Sequence, residues 1–138
     1  MREFIDFVSA SADTTADTEA IAAAAACLDR FTAAFNARDL AGMDRELHFP
    51  HVMLSGAEHL VWDRPGQHPA NLFSALEGTG WACTRYEEKL AILASADKVH
   101  FALRYTRRDK AGSVLSEHRN VWIVTRVAGK WGIALRSY

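Results

Sequence analysis

Histidine is the side chain best suited to chemistry near neutral pH, and the chain has six; two of them, His48 and His51, flank Pro50 in LHFPHVML. A neutral imidazole ligates metals and, with an ordinary pKa of ~6.5, carries protons at pH 7. Zinc needs three or four nitrogen, sulfur or oxygen ligands converging on one point. A proline-containing helix exit does not project both rings from one face, and no cysteine or carboxylate pattern completes a set, so no metal is expected. His51 shares strand parity with Met53 and Ser55. Two roles stay open for it: a general base or neutral acceptor in a pocket, or a ring bonded to backbone at the strand entry. His48 reads as a half-exposed residue of the turn.

The remaining polar candidates fall in the C-terminal half. His118 and Asn120 share a face with Trp122, and Tyr86 shares parity with Leu90 and Ile92. A single bulge reverses such parities, so these residues face either a pocket or an interface. Glu87 and Glu88 are adjacent in a strand and point to opposite sides, which rules out a paired acid and base. They are expected to be solvent-exposed or ion-paired. The basic cluster Arg104, Arg107, Arg108 and Lys110 is balanced by Glu87, Glu88 and Asp109. With a formal net charge of −1 there is no global field to attract nucleic acid or an anionic membrane.

The elements that would position these groups follow from pattern. A chain of 138 residues with 49% hydrophobic and 24% charged residues is one globular domain. Residues 1–16 read as a loosely ordered arm with an apolar patch of Phe4, Ile5, Phe7 and Val8 that docks on the body or on a partner. Residues 17–138 form the domain. Asp17 or Thr18 caps a helix whose Ile21, Ala24, Ala25, Leu28, Phe31 and Phe35 make one apolar stripe. Asn36 stops it and Asp39 caps a restart. Pro50 turns the chain extended, two short strands meet about Ser55-Gly56, and Pro69 precedes a third helix with Leu72, Phe73 and Leu76. Long strands are predicted near 81–94, 98–108, 114–127 and 130–138, separated by turns at 95–98, 109–113 and 127–130. Helices followed by a meander imply an α+β fold with helices on one sheet face.

Alternation in 98–108 turns Val99, Phe101, Leu103 and Tyr105 toward the helices. The last two strands are apolar on both parities, which implies cover on both faces. A second copy of the chain is the expected cover. The predicted dimer face carries Trp122, Val124, Trp131 and Ile133. Phe31, Phe35, Ser55, Phe73, Phe101, Leu103 and Tyr105 are expected to line a pocket for a small hydrophobic molecule. Cys27 and Cys83 have no metal or redox spacing and read as small buried hydrophobes. The N-terminal stretch lacks the pattern of a secretion signal, and IAAAAACL is too short to cross a bilayer, so a cytoplasmic location is expected.

From about residue 19 to 138 the sequence resembles the nuclear-transport-factor-2-like superfamily in its SnoaL-like, polyketide-cyclase-like branch. FNARDLAGMDREL as helix–turn–helix, HFPHVML entering the first strand and NVWIVTRVAGKWGI as the terminal hairpin carry the resemblance. It implies a curved, cone-shaped antiparallel sheet wrapped round the N-terminal helices, the cystatin-like α+β barrel, with a conical pocket between them. Members include ketosteroid isomerases, epoxide hydrolases, cyclases, dehydratases and non-catalytic dimerisation modules. The isomerase tyrosine, aspartate base and aspartic acid donor fall here on Phe31, on Ser55 and near Asn120 or Val121. A phenyl ring donates nothing and a serine hydroxyl is too weak a base, so that mechanism is not expected. Two readings follow. One is a cofactor-independent site that binds a small apolar molecule or moves a proton on it, with His51, His118, Asn120 or Tyr86 as catalytic groups. The other is a non-catalytic dimerisation domain with a filled cone.

Overall fold

Asp17 opens the long helix by accepting from the Ala20 amide at 3.1 Å, and Asp39 opens the next by accepting from Gly42 at 2.9 Å. Each satisfies one of the free amides at a helix start. The computed structural model describes residues 3–9 and 17–138. Its helices are α1 (Phe4–Val8), α2 (Thr18–Asn36), α3 (Leu40–Arg45) and α4 (Leu72–Glu77). Its strands are β1 (Leu47–Ser55), β2 (Glu58–Trp62), β3 (Cys83–Ala94), β4 (Lys98–Arg108), β5 (Val114–Val127) and β6 (Lys130–Ser137). The arm expected over 1–16 lies partly outside the described residues. Its described part includes α1, whose Phe4, Ile5, Phe7 and Val8 are exposed.

The strands form one six-stranded curved sheet in the order β2-β1-β6-β5-β4-β3. Neighbours run antiparallel except β1 and β6, which are parallel, a departure from the all-antiparallel expectation. Register breaks between Tyr86 and Glu88 and between Ala91 and Leu93 put extra residues in β3, and such bulges bend a strand. The β5–β6 turn has φ of 51° at Ala128 and 77° at Gly129, the paired positive values that match the twist of a hairpin. Helix α2 packs on the concave side against β3, β4, β5 and β6. Ala24, Leu28 and Phe31 of its stripe are buried, with Ile21, Ala25 and Phe35 packed at the margin. Each large side chain so buried contributes roughly 1.5–3 kcal/mol.

The register corrects the expected dimer face. Antiparallel partners point to the same side of a sheet. Phe101 pairs with Trp122 and Val99 with Val124, and Val124 in turn pairs with Ile133. Phe101 faces α2, so Trp122, Val124 and Ile133 do as well, and all three are buried in the core. Trp131 packs half-buried against that core. The outer face instead carries the rung Leu90–Ala102–Val121 and a second rung, His100–Ile123–Leu135.

Candidate functional site

Arg136 stands on the inner face for a reason simple alternation hides. Val124 pairs with Ile133 while Ile123 pairs with Leu135, so Ala134 is an extra residue in β6. Counting by twos from Ile133 turns Leu135 inward and Arg136 out. The bulge reverses this, and Arg136 is only 6% exposed. The arginine, in IALRSY near the C-terminus, escaped sequence reasoning; an arginine flanked by inward-reading aliphatics was the available signal.

The sequence candidate His51 is what holds it. His51 is fully buried. Its Nδ1 donates to the Ile133 carbonyl at 2.9 Å, and its Nε2 accepts from Arg136 Nε at 2.9 Å. A guanidinium only donates, which fixes Nε2 as the bare nitrogen. Burial, and then the Arg136 cation, push the imidazole down to about 3 against the opposing pull of the Ile133 bond. His51 is therefore neutral at pH 7 with both nitrogens engaged, and has no lone pair free to take a proton from a ligand. His48 is also engaged, its Nε2 within 3.1 Å of the Thr125 carbonyl and 2.9 Å of the Lys130 carbonyl.

Arg136 lacks the partner a buried cation ordinarily has. It forms no ion pair among the described residues; beyond His51 its polar contact there is Nη2 to the Met53 sulfur at 3.2 Å. Aromatic faces surround it instead, with centroids 5.2 Å away at Phe31, 5.6 Å at Trp122, 5.9 Å at Trp62 and 6.0 Å at Tyr138. Such contacts contribute roughly 2 kcal/mol when desolvated, which offsets only part of the cost of burying a charge.

The guanidinium lies on the wall of a cavity of about 70 Å³ between α2 and the sheet. A water needs ~10–15 Å³ by this measure, so the space is that of a few waters or a small ligand. Phe31, Phe35 and Trp122 form apolar walls, Thr32, Thr84 and three tyrosines also line the space, and Arg107 is a second cation. No acidic side chain and no histidine is among these lining residues. Asn120 donates to the Tyr105 hydroxyl at 2.8 Å, which leaves the phenolic proton free to donate inward. Burial raises the pKa of Tyr105 and of Tyr86, so both remain donors. The Tyr86 hydroxyl is spent on the Leu28 carbonyl at 3.4 Å. The buried Trp122 indole N–H has no acceptor among the described residues.

The other sequence candidates divide cleanly. Phe31, Phe35, Tyr86 and Tyr105 reach the cavity. Phe101 and Leu103 lie in the solid core, and Ser55 is exposed at the end of β1. Phe73 belongs to an aromatic cluster at the edge, 5.4 Å from Phe35 and 6.0 Å from Trp81. His118 stacks on Tyr105 at 5.1 Å with its Nε2 2.8 Å from Ser116 Oγ, and burial followed by Arg107 lowers its pKa. It and Asn120 back the cavity through Tyr105 rather than line it. Glu87 binds Arg108 at 2.8 Å and Glu88 lies 3.9 Å from Arg104, the ion-paired outcome for that doublet. Sequence reading also passed over His68, in DRPGQHP. Its side chain is buried against Trp62 at 4.5 Å, with Nδ1 3.1 Å from Asp44 Oδ1 but not in hydrogen-bond alignment. Burial lowers its pKa, with Asp44 pulling the other way.

No protein-family model and no curated protein matches the sequence. Solved structures do match in fold. A protein of unknown function with a cystatin-like fold from Nostoc punctiforme superposes with a TM-score of 0.66 at 14% identity, over 90% of each chain. An NTF2-like protein of unknown function from Pseudomonas putida gives 0.63 at 15% identity, over 92% of this chain and 87% of that one. A putative ketosteroid isomerase from Shewanella frigidimarina gives 0.61 at 16% identity, over 83% of this chain and 93% of that one. The chain has the fold of these NTF2-like, cystatin-like proteins.

Proposed function

We propose that this NTF2-like fold binds a small, largely apolar molecule in the cavity between α2 and the sheet, and that two chains associate through the outer face. One observation carries the first part: aromatic walls surround a set of hydrogen-bond donors, Tyr105 among them, with no acidic or imidazole group lining the space. Such a lining holds and orients an oxygen-bearing ligand. It offers no base for the proton transfer that a ketosteroid isomerase performs, since Ser55 is exposed and Phe31 is a wall. Thermal denaturation with a panel of neutral ketones, lactones and small arenes tests it. A ligand that fits raises Tm in a concentration-dependent way. Thr32→Leu, which fills the cavity, removes that shift. No shift across the panel favours a dimerisation module with an empty function for the cavity.

The second part is supported by apolar residues that an isolated chain leaves in water: Leu90 is 52% exposed and Val121 36%, with Ala102 between them in the register. Arg104 and Arg119 are cross-strand neighbours flanked by Glu88 and Glu117, a rim of both signs that a two-fold copy can complement. Sedimentation at twice the 15.3 kDa chain mass is expected, and Val121→Asp should halve it. A wild-type monomer would overturn this part. A cytoplasmic setting suits the two unpaired thiols, Cys27 and Cys83.

A further inference from the structure

We infer that the ligand carries a carboxylate, or an equivalent planar oxyanion, and that Arg136 receives it. The inference rests on the cavity being a binding site and names the chemical class that fills it. Arg136 is nine-tenths buried, on the cavity wall, and without an acidic partner among the described residues. Elsewhere in the chain arginines find carboxylates: Arg108 has Glu87, Arg126 has Asp97 and Arg30 has Glu46. A guanidinium presents two parallel N–H bonds that match a carboxylate, and here Nη1 makes no bond among the described residues.

The surroundings fit an anion with a flat body. Arg107 adds positive charge on the same wall and forms no ion pair among the described residues. The Tyr105 phenol supplies a further donor, and no acidic side chain is among the lining residues to repel the ligand. The Phe31 and Trp122 rings already sit 5.6 Å apart edge to face beside the cation, walls against which an aryl or short alkyl group packs. His51 is a positioning residue. Its neutral Nε2 fixes the guanidinium without neutralising it, whereas an acidic residue there would cancel the charge meant for the ligand.

Titration calorimetry of the full chain with benzoate and butyrate against benzamide and butyramide tests the idea. The acids are expected to bind at least about tenfold more tightly than their amides, the ratio a charge-assisted bond supports. Arg136→Met, close in volume and apolar among aromatic rings, should bring acid and amide to parity. A readout in the wild-type protein is the indole N–H resonance of Trp122, assigned by its loss in Trp122→Phe, which should move on addition of benzoate. Acids and amides binding equally would overturn the inference and leave the cavity reading intact. Acids preferred equally by wild type and Arg136→Met, with the Trp122 signal unmoved, would place the anion elsewhere and overturn it too. Amides and acids both failing to bind would overturn both.

Discussion

The concave and convex sides of the sheet treat the same residue type in opposite ways. On the convex face Arg119 reaches Glu117 at 3.4 Å, both side chains largely in water. On the concave side Arg136 has a neutral histidine and aromatic rings but, among the described residues, no acid. Apolar residues are reversed as well, with Trp122 and Val124 sealed inside while their strand neighbour Val121 is open to solvent. Folding alone favours neither an unpaired buried cation nor an exposed valine beside an exposed leucine. Each side thus keeps one unsatisfied demand, electrostatic within and hydrophobic without. Unsatisfied demands of two kinds point to two different partners.

The largest test of the comparison is truncation across the sheet. Trp122→Ala is expected to cost roughly 3–5 kcal/mol in urea unfolding, against ~0.5 kcal/mol for Val121→Ala. Comparable costs would mean the faces are wrongly assigned. Next is His51→Ala, which opens a cavity and leaves Arg136 Nε without its acceptor; about 3 kcal/mol is expected. A smaller effect comes from pH. His51 titrates near 3 when folded and near 6.5 when free, so between those values the unfolded chain binds the extra proton. Stability is therefore complete above about pH 6.5 and falls as the pH drops toward 3, by up to ~1.4 kcal/mol per unit from this residue. His51→Gln should flatten that slope relative to wild type in urea midpoints measured from pH 7.5 to pH 4.5. An unchanged slope would show that His51 is not held neutral.

Much of this contrast is legible in the sequence, and the illegible part has one cause. Caps at Asp17 and Asp39, the α2 stripe and the four long strands depend on local signals, and their observed bounds follow the expected ones closely. The inward set Val99, Phe101, Leu103 and Tyr105 holds because β4 alternates without interruption through those positions. β6 does not. The bulge at Ala134 separates the inward Ile133 from the inward Arg136 by three positions, so period-two counting loses the arginine. The face of Trp122 was recoverable from pairing it with Phe101 across the turn at 109–113, which links strand parities that each strand alone leaves free. Of the two roles read for His51, the ring bonded to backbone at the strand entry matches its contact with the Ile133 carbonyl. Its function in holding Arg136 depends on the parallel β1–β6 pairing, which no local signal carries.

Finer tests probe what sits at the boundary between the two faces. A Cβ on Gly132 would meet the His48 ring at 2.9 Å, so Gly132→Ala should cost about 1–2 kcal/mol by overpacking. In a His48→Ala background most of that cost should vanish, a coupling that a double-mutant cycle reads directly. If the two substitutions add, the ring is not what excludes the methyl.

The smallest effect belongs to Arg126. Its side chain is 45% exposed and that of Asp97 is 69% exposed, so solvent and ions screen the pair. Arg126→Met is expected to change stability by no more than ~0.5 kcal/mol, and the difference should shrink further between low and high salt. The same replacement at Arg136 removes a cation that salt cannot reach, so its consequences should be insensitive to salt unless the added anion itself enters the cavity. Chloride that stabilised wild type but not Arg136→Met, while leaving Arg126→Met unaffected, would mark the inner arginine as the one whose charge is held for something outside the chain.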